Sequence, residues 1–249
     1  MIEQQICIPT GDGEMPTFVC YPERGAPYAA VFLLMDAPGV REELRDMVRR
    51  LASAGYCVLL PNLYYRAGNN PVFDPASVLT AGSEEHKRMR AIRTRMTIPP
   101  VMQDFAALIR FADSLDCTLA GAPIGTHGYC MSGPYALAAA AAFPERVAAA
   151  ASIYGTWLVS DAEQSPHATL AQVRGEIYIA CAEHDDLAPP EMVARLKALF
   201  EAAAPLGELE VHPAVHHGFA FPERWCYDKD AAERHWERLH ALYRRMLTV

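Results

Sequence analysis

Cys130 sits in the short stretch "GYCMSG", Gly128–Gly133, which joins an apolar run to the alanine-rich "GPYALAAAAAF". Small residues on a turn of this kind let a strand and a helix pass close together and tolerate a strained nucleophile backbone. The spacing is that of the strand-to-helix elbow G-x-S-x-G, with Cys for Ser and a Ser–Gly pair after Met131. Such a turn lifts the side chain above the sheet edge and puts sulfur at a helix N-terminus, whose partial positive charge favours thiolate. Pro134 fits there because first-turn N–H groups have no helical partner. An ordinary thiol, with a pKa of ~8.5, is only a few per cent ionised at neutral pH, so the helix end and a base must activate it. Ser132 is the rival nucleophile, two residues past the apex, where a helix start would aim it elsewhere.

Two further stretches supply a base and an acid. Glu183-His184-Asp185-Asp186 follows "EIYIACA", and Ala214-Val215-His216-His217-Gly218-Phe219 follows "LEVHP". The order nucleophile, acid, histidine is one of the known triad orders. It assigns Cys130 as nucleophile, His217 as general base and then acid, and Asp185 as the group that holds the imidazole. Asp186 is left to cap the helix that starts at Pro189–Pro190. His216 reads as a pocket-wall residue, and His184 and His212 as satisfied polar groups. Cys181, His184 and His216 or His217 have metal-ligand chemistry. Cys181, however, lies inside a strand and no compact ligand spacing appears, so no metal and no cofactor is expected. A tetrahedral intermediate needs two backbone donors. Met131 N–H is one, and the turn Asp36-Ala37-Pro38-Gly39-Val40 offers the other. Pro38 has no N–H, so Ala37 is the choice and Gly39 the fallback.

These residues need strands that end at one edge. "AAVFLLMD" and "YCVLLPNLYY" are continuous apolar runs, as in strands buried on both faces. "REELRDMVRRLASAG" between them has helical spacing and a glycine stop at Gly55. The chain opens on a hairpin, "IEQQICI" and "PTFVCYP" around a Gly-containing loop. Residues 66–100 are the irregular part, with a basic helical segment "SEEHKRMRAIRTRM" ended by Pro99–Pro100. "VMQDFAALIRFADSL" is amphipathic, "VAAAASIYG", "EIYIACAEH" and "GELEVHP" are strands, and "PPEMVARLKALFEAA" is a helix. The last helix lines up Trp236, Leu239, Tyr243 and Met246 on one face. Alternation of strand and helix predicts one α/β domain over 1–249, a mostly parallel sheet of about eight strands with helices on both faces. Ligands of such sheets bind beyond the carboxyl ends of the strands.

The net charge of −8, from 30 acidic and 22 basic residues, speaks against nucleic acid or an anionic membrane surface as partner. The first residues lack a basic region followed by an apolar one, and no apolar run is long enough to span a bilayer. Seven scattered cysteines without a CxxC fit a reducing compartment. The expectation is a cytoplasmic monomer or homodimer that acts on a small molecule.

The stretches "LLMDAPGVREELRDMVRRLASAGYCVLLPNLYYR", "GYCMSG", "AEHDDLAPP" and "HHGFAFPER", in that order over almost the whole chain, resemble the dienelactone hydrolase (carboxymethylenebutenolidase) family. The resemblance implies an α/β-hydrolase fold and a metal-free Cys–His–Asp hydrolase of lactones or small esters. The family's best-known reaction opens a carboxymethylenebutenolide to maleylacetate. Three departures bear on the site. Ser132 stands where the family elbow has a glycine. Asp36 stands where the best-known members have a glutamate that contacts the resting thiol, which makes Asp36 a candidate for tuning Cys130. Phe221 stands where they have an arginine for the lactone carboxylate. Arg88 or Arg90 matches a second family arginine, and Arg224 is either a substitute for the missing one or a surface residue. With Tyr64, Tyr65 and Trp157 also near strand ends, an aromatic pocket for a small ester or lactone is expected. A carboxylesterase or thioesterase on the same triad and a non-catalytic binding protein of this fold are the alternatives.

Overall fold

The computed structural model describes residues 1–247 except 69 and 204. Eight strands and seven helices alternate along the described chain: β1 (Ile2–Thr10), β2 (Gly13–Tyr21), β3 (Ala30–Leu34), α1 (Glu42–Ser53), β4 (Cys57–Pro61), α2 (Pro75–Val78), α3 (Glu84–Arg93), α4 (Ile98–Asp113), β5 (Ile124–Tyr129), α5 (Gly133–Ala142), β6 (Val147–Ile153), β7 (Glu176–His184), α6 (Pro190–Ala203), β8 (Gly207–His216) and α7 (Lys229–Met246). They fall into two compact units, the first spanning Met1–Ala122 and the second beginning at Pro123.

In the first unit β1 pairs antiparallel with β2 and β2 antiparallel with β4, whereas β3 runs parallel to β4. The hairpin is tighter than its sequence suggests. Pairing continues to Thr10 opposite Gly13, so the connection is only Gly11–Asp12, because two residues with turn chemistry suffice between antiparallel strands. Every residue of β3 and β4 is buried, as continuous apolar runs require. α1 covers β2 and β4, and α4 covers β1. Phe32 of β3 meets Phe105 of α4 edge to face, with centroids 5.5 Å apart. Beyond α1, Gly55 takes a φ of +99°, the left-handed turn that ends helices cheaply only at glycine.

The basic segment is the helix α3, capped by Ser83 Oγ accepting from His86 N–H. Pro99–Pro100 does not end it. α3 stops at Arg93, and the prolines lie in the first turn of α4, where the missing N–H costs nothing and the fixed φ suits a helix.

The second unit is wholly parallel, in the order β5-β6-β7-β8. Its core is β5, β6 and β7 with α5 on β5 and β6 and α7 on β6 and β7. α7 buries His235, Trp236, Leu239 and Tyr243, while Met246 at its end is only half-buried. β8 is longer than "GELEVHP". It runs through Pro213 to His216, with His216 paired to His184 at the end of β7. A 3₁₀ segment at Pro166–Gln172 fills the connection after β6. All seven cysteines are free, and only Cys7, on β1, is exposed. Among the described residues no helix is long and apolar enough to cross a membrane.

Candidate active site

The second unit brings Cys130, Asp185 and His217 together, each at the carboxyl end of a strand. β5 ends at Tyr129, a single 3₁₀ turn covers Cys130–Ser132, and α5 begins at Gly133. Cys130 has a φ of +55°, in the left-handed region that costs a side-chain-bearing residue about 1 kcal/mol or more. Two glycines make this turn feasible. A Cβ on Gly128 would lie 2.2 Å from the Ser132 carbonyl oxygen. One on Gly133 would lie 2.3 Å from Ser152 Oγ and 2.7 Å from Gly155 Cα. Ser132 is fully buried, so its position in the elbow is a packed one. The Cys130 carbonyl accepts a hydrogen bond from Thr156 N–H at 3.2 Å, which ties the elbow to the loop after β6.

Asp185 follows β7 and is buried. Its Oδ2 accepts from His217 Nδ1 at 2.7 Å. Its Oδ1 accepts from the N–H groups of Leu187 and Ala188, at 2.8 and 3.2 Å. Asp185 therefore holds its own turn as well as the imidazole. A carboxylate has enough lone pairs for both tasks. Asp186, expected as the cap of the helix at Pro189–Pro190, is exposed. His217 comes one residue past β8, and its N–H donates to the His184 carbonyl at 3.3 Å, so the ends of β7 and β8 set the histidine's position.

The Asp185 bond fixes Nδ1 as the protonated nitrogen and leaves Nε2 for the sulfur. Burial lowers the His217 pKa. The charge of Cys130 and hydrogen bonding to Asp185 and Cys130 outweigh it and raise the value to about 9. The site thus favours a proton on the imidazole beside Cys130, and a protonated imidazole next to a thiol favours its thiolate form.

An aromatic cluster begins at the histidine. Tyr154 lies edge-on to His217 at 5.0 Å and to Phe219 at 5.2 Å. Phe221 packs on Tyr129 at 5.1 Å. Tyr154 follows β6 directly, with a φ of +38° and its N–H bonded to the Ala180 carbonyl at 2.7 Å. It was missed in the sequence, although the rule that inspects residues just after strands would have found it. Arg224 is buried, not a surface residue, and its guanidinium lies over the Phe221 ring at 4.8 Å. Trp157 is about half exposed, 49%, with a φ of +52°. His184, His216 and the exposed Trp225 form a row of rings spaced 5.1 Å apart. His212 is buried and bonds Tyr178 OH through Nε2 at 3.3 Å. Among the described residues no cluster of three or more His, Cys, Asp or Glu side chains could hold a metal ion.

The first unit places Asp36, Ala37, Tyr64 and Arg88. Asp36 is fully buried in a two-pronged ion pair with Arg41, at 2.6 and 3.3 Å, and Arg41 also binds Glu43 at 2.5 Å. Nothing in the sequence points to Arg41 as the partner of Asp36, because a pair five residues apart across a turn leaves no periodic signal. Gly39 N–H donates to the Asp36 carbonyl at 3.0 Å, so the fallback oxyanion donor is already engaged. Tyr64 is fully buried, and its hydroxyl donates to the Ala37 carbonyl at 2.7 Å. It holds the turn that carries Ala37. Tyr65 OH donates to Asp104 at 2.8 Å. Arg88 lines a cleft of about 270 Å³ with Leu63, Arg66, Ile92, Arg95 and Met96, its guanidinium 5.7 Å from the Phe73 ring.

Comparison with known proteins identifies the family and the fold. The model of the dienelactone hydrolase family matches residues 15–247. A relative from Methylorubrum extorquens, named "Putative carboxymethylenebutenolidase", is 27% identical over 249 residues, covering 98% of this chain and 81% of its own. A crystal structure of a "Putative Dienelactone Hydrolase" from Klebsiella pneumoniae subsp. pneumoniae superposes with a TM-score of 0.85 at 23% identity over 98% of each chain. A dienelactone hydrolase-like promiscuous phosphotriesterase from metagenomic libraries superposes with a TM-score of 0.76 at 18% identity over 99% of each chain. The structural likenesses establish the α/β-hydrolase fold, with its mostly parallel eight-stranded sheet.

Proposed function

Since this chain belongs to the dienelactone hydrolase family, and so to a family of hydrolases, we propose that it cleaves a small lactone or carboxylic ester through a thioester on Cys130. The observation that carries this reading is the hydrogen-bonded Asp185–His217 pair beside a cysteine at a strained elbow. Cys130 sulfur attacks the carbonyl carbon. The developing oxyanion is taken by the N–H of Met131, directly after the nucleophile. Preorganised donors of this kind are each worth roughly 10²–10³ in rate. His217 passes its Nε2 proton to the leaving oxygen, which gives the alcohol and the Cys130 thioester. The neutral imidazole then takes a proton from water, and the hydroxide releases the acid. In a lactone the leaving oxygen stays tethered to the acyl group. Tyr154 packs edge-on to His217, and Phe219 and Phe221 pack on Tyr154 in turn, an aromatic setting that suits a compact substrate with little charge near the carbonyl.

The test is a burst experiment with a chromogenic short-chain ester and intact-mass detection of the acyl adduct. The wild-type chain is expected to gain one acyl group and Cys130→Ala none, with turnover falling by at least about 10³, the scale for losing a nucleophile. Unchanged hydrolysis by Cys130→Ala would remove Cys130 from the mechanism and point to Ser132. Hydrolysis of lactones but not of open-chain esters of the same size would narrow the substrate class.

A further inference from the structure

Two cysteines outside this site face each other in the first unit. Cys57 Sγ and Cys117 Sγ are 3.6 Å apart although 60 residues separate them in the chain. Backbone bonds hold both in place. Cys57 opens β4, and its N–H donates to the Ala29 carbonyl at 3.0 Å. Cys117 follows α4, and its carbonyl accepts from Tyr28 N–H at 2.8 Å. Residues Tyr28 and Ala29, side by side before β3, therefore fix the two thiols against each other. Cys57 is fully buried, whereas the Cys117 residue keeps 8% of its surface exposed, so a small oxidant approaches the pair from the Cys117 side. We propose that Cys57 and Cys117 form a modification site, a dithiol that a hydroperoxide oxidises to an intrachain disulfide.

The thiols are unequal in the direction the chemistry needs. The hydrogen bond from Cys57 lowers the Cys117 pKa against the effect of burial, while the bond to Cys117 and burial raise that of Cys57. The sulfur on the approach side is therefore the better thiolate. Cys117 thiolate attacks one peroxide oxygen and the O–O bond breaks. Cys117 sulfenic acid and hydroxide result, which becomes water on protonation. Cys57 sulfur then attacks Cys117 sulfur, the S–S bond forms and the S–O bond breaks. The hydroxide leaves with the Cys57 proton as a second water. Two thiols lose two electrons and the peroxide gains them. Reaching a disulfide bond length requires the sulfurs to approach by about 1.5 Å. Cys20, on β2 opposite Val58, is buried with a raised pKa caused by that burial, so it is the poorer competitor.

The experiment treats the full chain with hydrogen peroxide in a Cys130→Ser background, which removes the proposed catalytic thiol, and maps peptides without reduction. The expected product is a Cys57–Cys117 linked peptide, two hydrogens lighter and restored by dithiothreitol. In Cys57→Ser, dimedone should trap a sulfenic acid at Cys117. Should that variant fail to fold, the peptide map of the parent decides alone. A Cys20–Cys57 link, or Cys117 oxidised to sulfinic acid with Cys57 still a thiol, would overturn the proposal. So would Cys117 staying reduced at peroxide concentrations that oxidise Cys130 in the wild-type chain. None of these outcomes depends on whether the protein cleaves esters.

Discussion

His217 is the residue on which the site's electrostatics converge. Its pKa of about 9 has opposing causes, burial lowering it and Cys130 and Asp185 raising it. Removing the sulfur removes the charge and one hydrogen bond but leaves the burial and the Asp185 bond. The imidazole of Cys130→Ala is therefore expected to titrate below about 9 by at least about one unit, the scale of a single close charge. Carbon-detected titration of the His217 ring, assigned with a His217→Gln control, checks this. An unchanged midpoint would mean that the sulfur does not face the imidazole. Sequence alone made Cys130, Asp185 and His217 legible because each follows a strand and their order is a known one. It did not reveal that Asp185 also accepts from Leu187 and Ala188, since backbone donors leave no residue signature. The sequence left Arg224 open between a substitute for the missing arginine and a surface residue, because nothing in "FPER" says that a ring at 221 will lie beneath its guanidinium.

At the scale of elements, the strand-to-helix elbow depends on how closely β5 and α5 approach. Gly128→Ala would drive a methyl into the backbone oxygen of Ser132. Backbone cannot swing aside as a flexible side chain can, so this overpacking is expected to cost at least about 1–3 kcal/mol. Denaturant unfolding should show a lower midpoint for Gly128→Ala, and an unchanged one would mean that the elbow relaxes freely. Long apolar strands and the amphipathic α1 and α7 were readable from periodicity, because their burial is set by the same alternation that writes the pattern. Boundaries that depend on proline were not. Pro99–Pro100 serves equally as a stop for one helix and a start for the next, and only the packing of α4 decides between them. The 3₁₀ segment at Pro166–Gln172 has neither a helical nor a strand period.

Over the whole molecule, two buried histidines pull stability in opposite directions with pH. His127, on β5, is fully buried and bonded through Nδ1 to Tyr243 OH at 2.9 Å. Burial lowers its pKa to about 3, against an ordinary 6.5. Below pH 6.5 the unfolded chain takes up a proton that folded His127 refuses, so stability falls as pH drops towards 3, by up to about 1.4 kcal/mol per unit. His217 has the raised folded value. Its contribution is fully present below 6.5 and is lost as pH climbs through about 9. His212, lowered by burial, adds to the acid side. The two effects cross near the ordinary histidine pKa of about 6.5. Denaturant midpoints measured at pH values of about 5, 6.5 and 9 should be highest in the middle, and Cys130→Ala should flatten the alkaline side. A midpoint that rises or falls steadily across the range would count against both assignments.

The distribution of thiols has a practical side. Six of the seven cysteines are buried and Cys7 is exposed on β1. A bulky maleimide discriminates by access before it discriminates by acidity. The unaltered chain thus carries its own attachment point for a fluorophore or a surface tether, on a strand that belongs to a different unit from the one that holds Cys130, Asp185 and His217.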